Sequence, residues 1–164
     1  MHEEETTMEK FSIHEVLEQA VQTERVGYQF YTEMAEKFKD NGDLVSLFKT
    51  LAAGELKHER AYAGLKELIG EADAEIEGFE EVSLYMRAIV ESEFFLGKNK
   101  ALPSMDHIKT TKEAALFALN FEKETILYFL GIRDVVSEKG LLDQIIREEQ
   151  RHVLWLDNLS KKLN

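Results

Sequence analysis

Two glutamate–histidine pairs, Glu55/His58 and Glu149/His152, each lie in the middle of an apolar stripe of helical period. Around the first, Leu44, Leu47, Phe48, Leu51, Tyr62 and Leu65 recur at spacings of three and four. Around the second, Leu142, Ile145, Leu156, Leu159 and Leu163 do the same. A three-residue spacing makes the members of each pair neighbours on one helix face, and the stripe marks that face as the one turned to the core. A lone ionised carboxylate in a packed interior costs several kcal/mol even after relaxation. Counter-charge must therefore reach both places, and a metal ion is the leading candidate.

The rest of the chain reads as helices that bring these stripes together. The sequence holds one proline and nine glycines, few places to break a helix. Residues 1–11 are polar and expected to be flexible. Ser12 with Glu15 has capping-box spacing and starts a helix whose face carries Ile13, Leu17, Ala20, Glu24, Gly27, Tyr28, Tyr31, Met34, Ala35 and Phe38. Lys39 to Asp43 stops it, Asp43 is placed to cap the next helix, and that helix ends near Ile69. So short a turn forces an antiparallel hairpin. An acidic connector, a third helix over about Glu80 to Leu96 and a basic loop with Pro103 then lead to a fourth helix capped by Thr110 or Thr111. Lys139-Gly140 is expected to form the second tight turn, before a last helix to Leu163.

The expected fold is therefore all-α. Two antiparallel helical hairpins are joined by a long crossover containing an extra helix, which is the connectivity of ferritin-like four-helix bundles. Residues 12–164 are read as one domain, long enough to bury a real core. The halves also repeat: Glu24 precedes Phe30-Tyr31 as Glu122 precedes Tyr128-Phe129.

Glu24 and Glu122 complete the pattern, since each sits mid-stripe on the helix before a Glu-x-x-His helix. One Glu from each of two helices and Glu-x-x-His from each of two others is the ligand pattern of di-iron and di-manganese carboxylate proteins. Four carboxylates balance two divalent ions. Oxygen-rich ligation with one imidazole per ion suits iron or manganese. Glu24 and Glu122 are assigned as terminal ligands, Glu55 and Glu149 as bridges at the reaction centre, and His58 and His152 as one nitrogen for each ion. The competing reading is of buried acids satisfied by Arg, Lys or water. Tyr28, Tyr62 and Tyr128 are expected near the ions, chiefly as packing. Glu93 is a further candidate ligand. Glu59 and Glu148 point off the stripe and are read as solvated. His14 and His107 are read as surface or packing residues.

On these residues the chain resembles the rubrerythrin family, over about residues 12–163. The resemblance implies two iron ions, with manganese as the other choice, and reduction of hydrogen peroxide or dioxygen. It also implies a homodimer. The sequence departs from the family in two ways. There is no cysteine for a rubredoxin domain, so electrons would come from a separate, rubredoxin-like donor. Thr125 also stands where the family commonly has a further glutamate. The rivals are a ferroxidase handling or storing iron, and a binding module that does not use metal.

Composition narrows the field. A net charge of −12 argues against nucleic acid, whose affinity for proteins comes chiefly from Lys and Arg, and against anionic membrane surfaces. No apolar run approaches the roughly 18 residues of a membrane span and no signal peptide is visible. With no cysteine to form disulfides, the sequence reads as that of a cytoplasmic protein.

Overall fold

The computed structural model describes residues 12–69, 79–90 and 105–163. They form five helices: α1 (Ile13–Lys37), α2 (Gly42–Ile69), α3 (Phe79–Val90), α4 (Thr111–Val135) and α5 (Lys139–Lys162). No strand occurs among the described residues. The expected flexible segment, residues 1–11, lies outside them.

Local chemistry sets the helix ends. In α1 the Ser12 hydroxyl accepts from the Glu15 amide while the Glu15 carboxylate accepts from the Ser12 amide, so two orphan donors are met at once. Thr110 and Glu113 do the same for α4, which settles the choice between Thr110 and Thr111. Two expectations are corrected. The cap of α2 is Asn41, whose side-chain oxygen accepts from the Leu44 amide at 3.0 Å. Asp43 falls in the first turn instead, where its charge complements the helix dipole. Lys139-Gly140 is not the second turn but the opening of α5. The chain leaves α4 at Val136, which turns extended and buries its side chain in the core, so reversal is complete by Glu138.

Helices α1 and α2 pack as one hairpin and α4 and α5 as the other, with α1 against α4 and α2 against α5 completing a four-helix bundle. The crossover helix α3 lies on α4. Met86 sits directly over Gly131, where an added Cβ would come within 2.9 Å of its Cγ. Tyr85 lies at the surface and donates to the Leu127 carbonyl. Residues 91–96, expected to continue this helix, and with them Glu93, lie outside the described residues.

The core is divided in two. One apolar cluster gathers Val16, Leu17 and Ala20 of α1, Tyr62 and Leu65 of α2, Met86 of α3, Tyr128, Phe129 and Ile132 of α4, and Leu142 and Ile145 of α5. The other gathers Phe30, Tyr31 and Met34, then Leu44, Phe48 and Leu51, then Ala114, Ala115 and Ala118, with Leu156 and Leu159. Each fully buried Leu or Phe side chain contributes about 1.5–3 kcal/mol, so both ends hold the helices firmly. Along every long helix the sequence between the two clusters is where the acid lies. Glu24, Glu55, Glu122 and Glu149 each fall within two residues of their helix midpoint. No helix among the described residues is long and apolar enough to cross a membrane.

Candidate metal centre

Because the four acids share one level of the bundle, they meet. Glu24, Glu55, Glu122 and Glu149 are all fully buried, and His58 and His152 nearly so. Their side chains make two overlapping groups: Glu24, Glu55, His58 and Glu149 form one, and Glu55, Glu122, Glu149 and His152 the other. Within each group one donor atom per residue lies within 4.8 Å of the others. Glu55 and Glu149 belong to both. Glu149 spans the pair most plainly, with Oε1 at 2.6 Å from His58 Nδ1 and Oε2 at 2.8 Å from His152 Nδ1. Nδ1 of His58 also faces Glu24 Oε1 at 3.8 Å, while Nδ1 of His152 faces Glu55 and Glu122 at 3.5 Å each. The two imidazoles stack with centroids 5.9 Å apart.

The short contacts at Glu149 have hydrogen-bond length but not hydrogen-bond direction. Both Glu149 oxygens and both Nδ1 atoms remain without a hydrogen-bond partner, as do both oxygens of Glu24 and of Glu55, and Oε2 of Glu122. Buried polar groups are nearly always satisfied, so such a concentration needs a cause. The electrostatics give one. Burial, and then the other acids, push the carboxyl groups of Glu24 and Glu122 well above the usual range. Burial acts the same way on Glu149, but the two imidazoles against it win and hold its carboxyl low. Burial works against charge on the histidines as well. The surrounding acids nonetheless raise His58, and push His152 up to about 12. On its own the centre draws protons from both sides, a demand for positive charge that two divalent cations would meet. The donor set fits such ions: oxygen-rich, one imidazole each, enclosed by apolar walls.

Sequence reasoning missed part of the surroundings. Tyr31, not Tyr28, is the tyrosine of α1 at the centre: its hydroxyl donates to Glu122 Oε1, while Tyr28 is 37% exposed. Tyr62 is buried with an unpartnered hydroxyl, and Tyr128 spends its hydroxyl on the Val16 carbonyl. Glu148 is not solvated. It binds Nε2 of His58 at 2.7 Å and Lys57 at 2.9 Å, and these contacts overcome its partial burial to hold its carboxyl at about 2. Glu59 is likewise engaged, by Arg25. Gly27 and Gly54 make room: a Cβ on Gly27 would lie 3.1 Å from Glu55 Oε2, and one on Gly54 3.1 Å from the His152 ring. Thr125 is buried beside this layer with its hydroxyl unpartnered. His14 and His107 join neither group.

Comparison with known proteins identifies the family and the fold. The family model described as rubrerythrin matches residues 15–160. A crystal structure of a protein described as ferritin-like and diiron-carboxylate, from Thermotoga maritima, aligns over 94% of this chain and 97% of its own. The TM-score is 0.67 at 21% identity, a likeness of fold. No curated protein matches the chain.

Proposed function

The chain belongs to the rubrerythrin family and has the ferritin-like fold, and from that premise we propose that it is a non-haem di-iron oxidoreductase. In this reading it reduces hydrogen peroxide, or dioxygen, with electrons from a separate rubredoxin-like donor. The observation that carries the reading is the pair of overlapping donor sets sharing Glu55 and Glu149, whose buried oxygens have no hydrogen-bond partner among the described residues.

Glu24 and Glu122 would each hold one ion from the outside, Glu55 and Glu149 would bridge, and His58 and His152 would supply one nitrogen apiece. Two ferrous ions held there would supply one electron each, the two electrons needed to take peroxide with two protons to two waters. The chain's own part is placement and exclusion. Four mid-helix acids fix the ions between two dry clusters, so oxidising chemistry is kept from bulk water. Tyr31 keeps its proton because burial, then the neighbouring Glu122, raise its phenol, and it orients Glu122 through that donor. A cytoplasmic location and a homodimer accompany the proposal.

The test is anaerobic reconstitution of the full chain with Fe(II), elemental analysis, and peroxide turnover with a reduced rubredoxin. Two irons per chain and turnover lost with the metal in Glu55→Ala and Glu149→Ala are expected. Unchanged turnover in either variant refutes the assignment. Fast Fe(II) oxidation by dioxygen within a large symmetric shell would point to iron storage. Two manganese ions with oxygen evolution would move the reading to catalase chemistry.

A further inference from the structure

His58 and His152 hold equivalent places in the two halves, yet their far nitrogens have different neighbours. Nε2 of His58 lies 2.7 Å from Glu148 Oε2. Glu148 is itself held by Lys57 at 2.9 and 3.1 Å and by Gln144 at 3.2 Å. That network fixes a proton on Nε2 of His58, so that Nδ1, which faces Glu24 and Glu149, is the nitrogen that would turn its lone pair to an ion.

Glu148 immediately precedes Glu149, and the residue in the same place before Glu55 is Gly54. Gly54 abuts the other histidine as the repeat requires. A Cβ there would lie 3.1 Å from both Nε2 and Cε1 of His152. The half that has a glutamate behind its partner's histidine is thus matched by a half in which even a Cβ would crowd the ring. Among the described residues no carboxylate contacts Nε2 of His152; its three acidic neighbours all meet Nδ1. Arg151, the counterpart of Lys57, meets no acid across the interface among the described residues and approaches Glu148 on its own helix at 3.9 Å.

We propose that the two metal positions are unequal: Glu148 positions His58 and makes the Glu24/His58 position the tight one, whereas the Glu122/His152 position, backed by Gly54, is the weak and exchangeable one. This rests on the metal-centre reading above. A carboxylate accepting the far N–H of a ligating histidine fixes its tautomer and ring and strengthens its donor nitrogen, and its loss typically costs ~10–100-fold in metal affinity. Among the described residues one position has that support and the other lacks it.

The experiment loads the full chain with Co(II), whose visible bands report ligation, and follows release into excess EDTA. Two phases of one ion each are expected, separated by ~10–100-fold in rate. Glu148→Leu accelerates the slow phase until the two converge. Glu148→Gln, which keeps an acceptor oxygen, falls between. The fast phase and the far-UV circular dichroism stay as in the wild type, whereas a merely structural role would speed both phases together. If the Glu148 variants do not fold, Lys57→Met serves, because it loosens Glu148 without removing it, and it too speeds the slow phase alone. Two Co(II) ions leaving the wild type in a single phase, or a slow phase untouched in the variants, overturns the inequality while leaving the metal centre standing. Failure of the wild type to bind Co(II) removes both.

Discussion

Gly27 and Gly64 are both interior helical glycines, and alanine at the two positions should act in opposite directions. In a helix interior alanine is favoured over glycine by about 1 kcal/mol. Gly64 is exposed and a Cβ there meets nothing within 4 Å, so Gly64→Ala should realise that gain. For a chain of this size it corresponds to a rise in Tm of about 2–4 °C. At Gly27 the new Cβ would lie 3.1 Å from Glu55 Oε2 and 3.2 Å from both Cδ and Cγ. Since Cγ is crowded along with the carboxylate, turning the terminal bond gives no relief, and the whole fully buried side chain must move. Overpacking of this kind costs about 1–3 kcal/mol. Set against the helix gain, Gly27→Ala should range from neutral to about 2 kcal/mol destabilised. Urea unfolding followed by circular dichroism, on metal-stripped and Co(II)-loaded protein, measures both variants. The penalty should be larger in the loaded form, where Glu55 is held by two ions. If Gly27→Ala gains as much as Gly64→Ala in both forms, Glu55 has slack and the argument for a tightly built centre fails.

Tyr31→Phe should destabilise the stripped protein by about 1–3 kcal/mol in urea, because Glu122 Oε1 loses its donor where water cannot replace it; an unchanged midpoint would mean that the contact contributes nothing. Stripping the metal should lower the melting temperature, since each site filled at 100 times its Kd adds about 2.7 kcal/mol; equal melts with and without chelator would contradict a metal-stabilised core. Metal affinity should fall as pH falls. Glu24, Glu122, His58 and His152 all have raised pKa values in the metal-free protein, so incoming cations must displace protons. Calorimetry in buffers of different ionisation enthalpy would show protons released on loading, and a pH-independent affinity would refute the linkage.

Much of the fold was legible because helices advertise themselves locally. Ser12/Glu15 and Thr110/Glu113 are capping boxes on the page as in space. The four acids could be placed because each interrupts an apolar stripe. What the sequence hid lies across helix interfaces or at finer angular resolution. Glu148 looked solvated because it is one residue off the stripe of α5, and only the packing of α2 beside it brings Lys57 and His58 within reach. Nearness along the chain favours Tyr28, one turn after Glu24, over Tyr31. At about 100° per residue, however, the seventh residue on points about 20° from Glu24 and the fourth about 40°. Angle about the helix, not nearness along the chain, decides which tyrosine reaches the centre. The cap of α2 falls at Asn41, two residues before the expected Asp43, because the chain reverses tightly after Phe38, with the Asn41 amide donating to the Phe38 carbonyl.

The split of the interior into two dry clusters with the acids between them gives the bundle a division of labour. Each hairpin is clamped above and below its charged waist by a separate apolar cluster, so the packing at one end still holds the helices when the other is loosened. Damage to either end then weakens the frame before it moves the donor atoms, and a chain of this design can lose stability well in advance of losing its aim.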